Sequence, residues 1–455
     1  MLFRGRINLP WIIGILAIVW IAFAVYLVIR IFDIKETNLI ILVSGIFVCN
    51  PTVYALSATY THDLDADMFA MFLAVVATWL WNCESDKWNL KKKIIKLLVS
   101  ALILAVSMGI YQSYLGVTIA LIIIVCINDL LNGNDYLKVL YKGITGIVMV
   151  IVSALLYLLM LKLFTNVTGI SVLDSQSYNS VGNILSLLEG GVFERIYNTY
   201  VKFVEAFKTM ITLSDIESIV LIIHLLLMSV IFCVVIWRMF QIKWQNSILV
   251  AILLAIMPFG MNIAIFLNDG YSHILMQYAA WMTYIFVLIL IKNFKEEKYD
   301  YFINRIIYIG VIILLFIIIS ENVQIANTVY VKKNLEYQAT LSYMTRVLEE
   351  IEEQEEYVVA ETRVMFVGED VEGFERYGFE DYKILTGAGP NLSITYYGTY
   401  ENYFEYVLGT PILVYKDSEL LNDKRVIEMP IFPSDGSIKM IDEVLVVKLK
   451  ETSLN

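Results

Sequence analysis

The sequence predicts a mostly α fold: a polytopic membrane helix bundle of about ten transmembrane helices, with a small C-terminal α/β domain outside the membrane. Three observations carry this. Hydrophobic residues make up 59% of the 455 residues and charged ones 17%, more apolar than an ordinary soluble domain. The apolar residues gather in runs of about 17–25, the length an α-helix needs to cross roughly 30 Å of hydrocarbon. From Glu321 onward the long runs stop, and short β-type runs alternate with turn residues.

Ten runs qualify as spans: 9–29, 38–58, 66–82, 94–110, 112–129, 143–164, 216–237, 246–267, 274–292 and 303–321. The first is long enough to span and lacks a small-residue cleavage site, so it reads as a helix rather than a signal peptide. The runs between 94 and 129 are nearly continuous. The polar stretch Gly109-Ile110-Tyr111-Gln112-Ser113-Tyr114 lets the chain reverse there.

Cationic loops set the orientation. Lys87, Lys91, Lys92, Lys93 and Lys96 form the densest cluster and are expected in the cytoplasm. Counting outward, Lys138 with Lys142, Arg238 with Lys243, and Lys292, Lys295, Lys298 and Arg305 fall on the same side. The opposite side then holds 61–67, the break at 110–114, a long loop 165–215, the loop 268–273 and everything after about 322. This parity places the N-terminus outside, together with Arg4 and Arg6. Either a short tail crosses on its own, or a further helix precedes the first run.

Within the loop 165–215, apolar residues recur every three or four positions from Val192 to Phe207. That pattern fits an amphipathic helix at the membrane surface or one packed onto the bundle. The chain divides at 322. In the domain 323–455, Tyr337, Leu341, Met344 and Leu348 mark a helix over 323–357. Its acidic end, Glu349 to Glu356, reads as a solvated face. Arg363–Val367, Pro411–Tyr415, Val426–Met429 and Glu443–Lys448 are expected as strands.

The chemistry centres on Thr61-His62-Asp63-Leu64-Asp65-Ala66-Asp67, three carboxylates and a histidine between two apolar runs. Ionisable side chains in that setting lie at a membrane surface or in a water-filled site. A nucleotide-sugar role for these D-x-D pairs is excluded, because nucleotide sugars are cytoplasmic and this loop is placed outside. Asp63, Asp65 and Asp67 can act there as a general base on an acceptor hydroxyl. They can also hold a divalent metal that neutralises a phosphate leaving group, or simply satisfy a helix start. His62 is a candidate for contact with a phosphate or sugar. Asp269, His273 and Gln277 form a second polar group on the same side. Tyr111, Gln112 and Tyr114 suit stacking on a sugar. Arg195, with Lys202, supplies positive charge for a phosphate, unless Glu194 or Glu205 pairs with them.

A net charge of −11 argues against a nucleic-acid partner. Cys49, Cys83, Cys126 and Cys233 lie in or beside apolar runs with no CxxC pair and read as small buried hydrophobes. No Walker loop, GxSxG, HExxH or EF-hand pattern is present.

The order of features resembles the bacterial glucosyltransferase family of the GtrII type, which is similar to GT-C glycosyltransferases. Four stretches carry the resemblance: Asn50-Pro51 with Tyr60 to Trp81, Leu104 to Leu115, Ala326 to Leu348 with Arg363 to Gly368, and Gly398 to Phe404 with Gly436 to Asp442. The resemblance implies a bacterial cell-membrane enzyme. It would move glucose, or a related hexose, from a polyprenyl-phosphate carrier in the membrane lipid to a surface glycan acceptor such as O-antigen, on the outer face. Partners implied are a small flippase and a carrier-loading glycosyltransferase. Members carry an extra helix and an acidic loop ahead of a Gly-Arg segment resembling Gly5-Arg6, so Arg6 is counted with the substrate-binding residues. The favoured base of related enzymes would precede Met1. A glycan polymerase, a lipid-linked-sugar transporter or an N-terminally truncated inactive copy are the competing readings.

Overall fold

The computed structural model describes residues 9–83, 89–169, 191–268, 271–292, 301–368, 387–388, 392 and 397–451. The chain divides into two compact units, Met1–Ala326 and Asn327–Asn455.

The first unit is helical: α1 (Pro10–Phe32), α2 (Thr37–Val48), α3 (Pro51–Thr59), α4 (Leu64–Asn82), α5 (Leu90–Ile110), α6 (Leu115–Leu131), α7 (Tyr136–Thr168), α8 (Val192–Leu213), α9 (Glu217–Gln241), α10 (Trp244–Met261), α11 (Ile263–Leu267), α12 (Met282–Ile291) and the start of α13 (Tyr301–Glu352). Among the described residues, nine helical stretches are long and apolar enough to cross a membrane, with Tyr278–Ile291 as a shorter apolar helix. The protein is therefore a multi-pass membrane protein. The expected span 274–292 is the one that falls short. Its fourteen helical residues reach only about 21 Å, and every residue of α12 is buried.

Two breaks answer one another. Pro51 has no amide, so a continuous helix there would leave the Phe47 carbonyl without its donor. The Tyr278 hydroxyl supplies one at 3.0 Å. Asn50 caps α3 by accepting from the Thr52 amide. Its Nδ2 donates to the Tyr278 carbonyl at 3.2 Å, and the Thr52 hydroxyl donates to the Ile274 carbonyl at 2.9 Å. Non-helical backbone at membrane depth persists only where such partners exist. The two interrupted segments thus satisfy each other.

Close packing fixes the neighbouring helices. A Cβ on Gly116 of α6 would lie 2.3 Å from the Met261 carbonyl oxygen of α10. The Ser107 hydroxyl donates to the Ala70 carbonyl at 2.7 Å, and the Thr118 hydroxyl to the Ala74 carbonyl at 3.0 Å, pinning α5 and α6 to α4. Helix α8 packs one face on α10 and α11: the Tyr200 hydroxyl donates to the Ala255 carbonyl, and Asn262 donates to the Thr199 carbonyl. Its other face keeps Phe193 and Val204 exposed. The amphipathic helix expected over 192–207 is real and extends to Leu213.

The bundle has two distinguishable ends. At one, the Lys96 ammonium donates to the Trp81 and Cys83 carbonyls, Lys292 donates to the Phe32 carbonyl, Lys142 pairs with Asp129 at 2.8 Å, and Tyr308 donates to Glu36. At the other, Ser214 donates to Glu321 and Tyr54 to Asn322, level with the end of α3.

The second unit contains the remainder of α13, β1 (Arg363–Val367), α14 (Tyr397–Tyr403), β2 (Leu413–Val414), α15 (Ser418–Leu421), α16 (Lys424–Ile427), β3 (Ile438–Ile441) and β4 (Val444–Lys448). The sheet runs β2-β1-β4-β3, with β1 parallel to both neighbours and β3 antiparallel to β4. The expected strand over 426–429 is a helical turn instead. The Asp423 carboxylate caps it by accepting from the Arg425 amide at 2.7 Å, and Val426 fills the core from that turn. The helix expected over 323–357 is the latter part of α13, which ends at Glu352.

Candidate functional site at the acid-bearing end

Four chain segments meet at the end opposite the lysine contacts: the start of α4, the break between α5 and α6, α11, and the interrupted run 271–281. Thr61–Asp63 is a single 3₁₀ turn leading directly into α4. This puts Asp65 and Asp67 in the helix's first turn, where the aligned backbone dipoles favour negative charge. Both are buried, at 5% and 9% exposure. Asp63 and His62 are half-exposed and pair with each other at 3.1 Å.

The α5–α6 break forms because Tyr111 adopts an extended backbone, after which Gln112–Tyr114 make one 3₁₀ turn. Tyr111 and Gln112 line a cavity of about 330 Å³, together with Ser113, Tyr157, Asn268 and aliphatic residues of α5, α7 and α11. The Gln112 amide donates to the Tyr157 hydroxyl at 2.6 Å. Burial pushes the Tyr111 phenol up to about 12, with the Ser113 hydrogen bond opposing and Asp67 and Tyr60 adding to the rise. Tyr111 faces the cavity. Tyr114 lies behind the lining, fully buried, and its ring meets Tyr111 and Tyr278 edge to face at 5.5 and 5.6 Å. Among the described residues the Tyr114 hydroxyl has no hydrogen-bond partner, an arrangement that costs free energy unless something fills it.

The other expected residues have different places. His273 caps the 3₁₀ turn Ile274–Met276 by accepting from the Leu275 amide at 3.3 Å, and Gln277 donates to the Ser272 hydroxyl at 2.8 Å. Both brace the interrupted segment. Neither lines the cavity. Arg195 lies half-buried on α8, also away from the cavity lining. Lys202 is held by Glu205 at 2.6 Å, so its charge is already compensated. Arg6 and Asp269 lie outside the described residues. Among the described residues, no three His, Cys, Asp or Glu side chains converge on a metal position.

Tyr157 and Asn268 are cavity residues the sequence reading passed over. Tyr157 was hidden inside the apolar run 143–164. Its signal was the one phenol in that run. Asn268 directly precedes Asp269, and an amide beside an acid carries no signal of its own.

The described helices thus form a multi-pass bundle with two buried acids in the first turn of α4 and a cavity at the α5–α6 break. The family profile described as Glucosyl transferase GtrII matches residues 1–290, and the chain belongs to that glucosyltransferase family. The match includes both stretches that form the cavity and the acidic turn. No curated protein and no solved structure matches the chain.

Proposed function

We propose that the protein transfers glucose, or a related hexose, from a polyprenyl-phosphate carrier to a surface glycan at the acid-bearing end of the bundle, on the outer face of a bacterial cell membrane. The observation that carries this reading is a sugar-sized cavity, lined by Tyr111, Gln112 and Tyr157, at the break that packs against α4, the helix whose first turn carries Asp67. The cavity offers the ring of Tyr111 for stacking, with the Gln112–Tyr157 pair and Asn268 for the sugar hydroxyls. Its aliphatic wall suits the first units of a prenyl chain.

In the proposed step, an acceptor hydroxyl gives its proton to the Asp67 carboxylate as its oxygen forms a bond to the anomeric carbon. The bond from that carbon to the carrier phosphate breaks, and polyprenyl phosphate leaves with the electron pair. Attack opposite the leaving group inverts the anomeric configuration. Asp65 and Asp63 raise the negative potential around Asp67 and so strengthen its pull on the proton. A GT-C-like arrangement fits this course, with the domain after about 322 on the same side as the acids.

The test uses membrane vesicles supplied with polyprenyl-phosphate [14C]glucose and glycan acceptor. Wild-type protein should transfer label and release polyprenyl phosphate, whereas the combined variant Asp63→Asn, Asp65→Asn, Asp67→Asn should do neither. Full transfer by a folded triple variant overturns the assignment. Movement of intact lipid-linked sugar, with no polyprenyl phosphate released, favours a transporter.

A further inference from the structure

Helix α8 presents three faces to three surroundings. Thr199 and Ala206 are buried against the bundle. Phe193, Tyr197, Tyr200 and Val204 follow one another at i, i+4, i+7 and i+11, so they form one stripe, and all four are exposed. Glu194, Asn198, Glu205, Thr209 and Thr212 make a third face, polar throughout and half-buried or exposed. At about 100° per residue, the three faces lie roughly a third of a turn apart.

Two contacts fix the depth of the helix. The Tyr200 hydroxyl donates to the Ala255 carbonyl of α10 at 2.8 Å. Ala255 lies six residues before Met261, the end of α10 that packs on the start of α6, or about 9 Å along the axis. The Phe207 ring meets His224 of α9 edge to face, with centroids 6.4 Å apart. His224 lies seven residues beyond Glu217, the end of α9 on the same side, or about 10 Å. Both α9 and α10 are long and apolar enough to cross a membrane. Tyr200 and Phe207 thus sit at one level, at the depth to which an interfacial helix sinks its apolar face. An axis held at one level runs along the membrane plane. With one face against the bundle, the apolar stripe belongs toward hydrocarbon and the polar face toward water. Ile252 and Ile256, which flank Ala255 on α10, are exposed as well and continue the apolar surface.

We propose that α8 is an interfacial helix whose stripe of Phe193, Tyr197, Tyr200 and Val204 binds the acyl chains of the leaflet at the acid-bearing end. The partner is the bilayer interior rather than a particular headgroup, because the stripe carries no charge. Lys202 and Glu205 pair at 2.6 Å and so bring no net charge to that depth. This membrane contact does not depend on sugar transfer.

Spin labels can read the faces one by one. The full chain, with Cys49→Ala, Cys83→Ala, Cys126→Ala and Cys233→Ala, receives a single cysteine as Phe193→Cys, Tyr197→Cys, Val204→Cys, Glu194→Cys or Thr209→Cys. All five positions are exposed, so the substitutions cost little stability. Each variant is labelled with a nitroxide and reconstituted into phosphatidylcholine vesicles. Collisions with oxygen, which concentrates in hydrocarbon, should exceed those with a water-soluble nickel chelate at 193, 197 and 204. The order should reverse at 194 and 209. The wild-type chain gives a second reading. In vesicles whose phosphatidylcholine carries a diazirine on its acyl chain, photolabel should appear on residues 193–204 as well as on α10. Nickel exceeding oxygen at all five positions places the helix in water and overturns the proposal. Exclusion of both reagents from the stripe overturns it too, since protein would then cover it. So does photolabel on α10 with none on α8.

Discussion

The two ends of α4 handle charge in opposite ways. At its C-terminus, the flexible Lys96 side chain reaches back to the Trp81 and Cys83 carbonyls, at 2.9 and 2.8 Å. Lys292 does the same for the Phe32 carbonyl at the end of α1. Long cationic stems bury their methylenes, keep their heads near water and complete carbonyls that the helix leaves open. Such charge costs little and reads as topology. At the N-terminus of α4, Asp65 and Asp67 are too short to reach out, and they stay buried. Burying a carboxylate costs several kcal/mol before compensation. The helix dipole returns about 1 kcal/mol of that, and Asp65 has a further interaction besides. Charge held at such cost reads as chemistry.

Substitution at the two ends should expose this asymmetry. Asp67→Asn is expected to lower glucosyl transfer by at least about 100-fold, the usual worth of a general base. Asp63→Asn removes an exposed acid paired with His62 and should cost under about tenfold. Lys96→Met should leave transfer within about twofold while lowering thermal stability. Steady-state kinetics in vesicles ranks the three. If Lys96→Met proves as damaging to transfer as Asp67→Asn, the division of labour between the ends is wrong.

The cavity wall comes next in size. Gln112→Leu leaves the Tyr157 hydroxyl without its donor and removes a partner for a sugar hydroxyl. Losing one such polar contact costs about 1–3 kcal/mol, or roughly 5- to 100-fold in kcat/KM. Tyr157→Phe should do less, because Gln112 keeps its remaining valences for substrate. A sugar-binding role predicts that KM carries much of the loss. A loss confined to expression level would point to a packing role instead.

The broken helices separate what was legible in the sequence from what was not. Apolar runs were visible because hydrocarbon demands about twenty of them in a row. The turn at 61–67 and the break at 110–114 were visible because polar residues interrupt those runs. The break at Asn50-Pro51 was not read as one. The run 38–58 stays apolar through it, and its partner, Tyr278, lies 228 residues beyond Asn50. Nothing local announces a bond that distant. The same reason hid the shortness of 278–291, whose composition matches a span but whose backbone begins in 3₁₀ turns. At 424–427, Val426, Ile427 and Met429 suit a strand as well as a helical turn. The Asp423 cap decided between them. Tyr278→Phe tests the long-range pairing: it orphans the Phe47 carbonyl and should destabilise the bundle by about 1–3 kcal/mol. Thr145→Val, which deletes the acceptor for the Trp81 indole at the lysine-bearing end, should cost about 1 kcal/mol. Chemical denaturation in detergent compares them, and equal losses would remove the special standing of the paired breaks.

The smallest effect concerns pH. His273 lies outside the spans, and burial lowers its pKa below the ordinary histidine value near 6.5. Its Nδ1 accepts from the Leu275 amide, so the neutral ring carries its proton on Nε2. Protonating Nδ1 would break that cap and loosen the segment that leads to Tyr278. The unfolded chain binds the proton more readily than the folded one. The stability contribution is therefore fully present above about pH 6.5 and is lost as pH falls through the lowered folded value. His273→Asn keeps a capping oxygen but has no titrating ring. Thermal melts between about pH 8 and pH 5 should show wild-type protein losing more stability than His273→Asn on the acid side. The two should differ by a constant offset above about pH 7. Parallel curves for wild type and His273→Asn would show that the cap does not depend on a neutral ring.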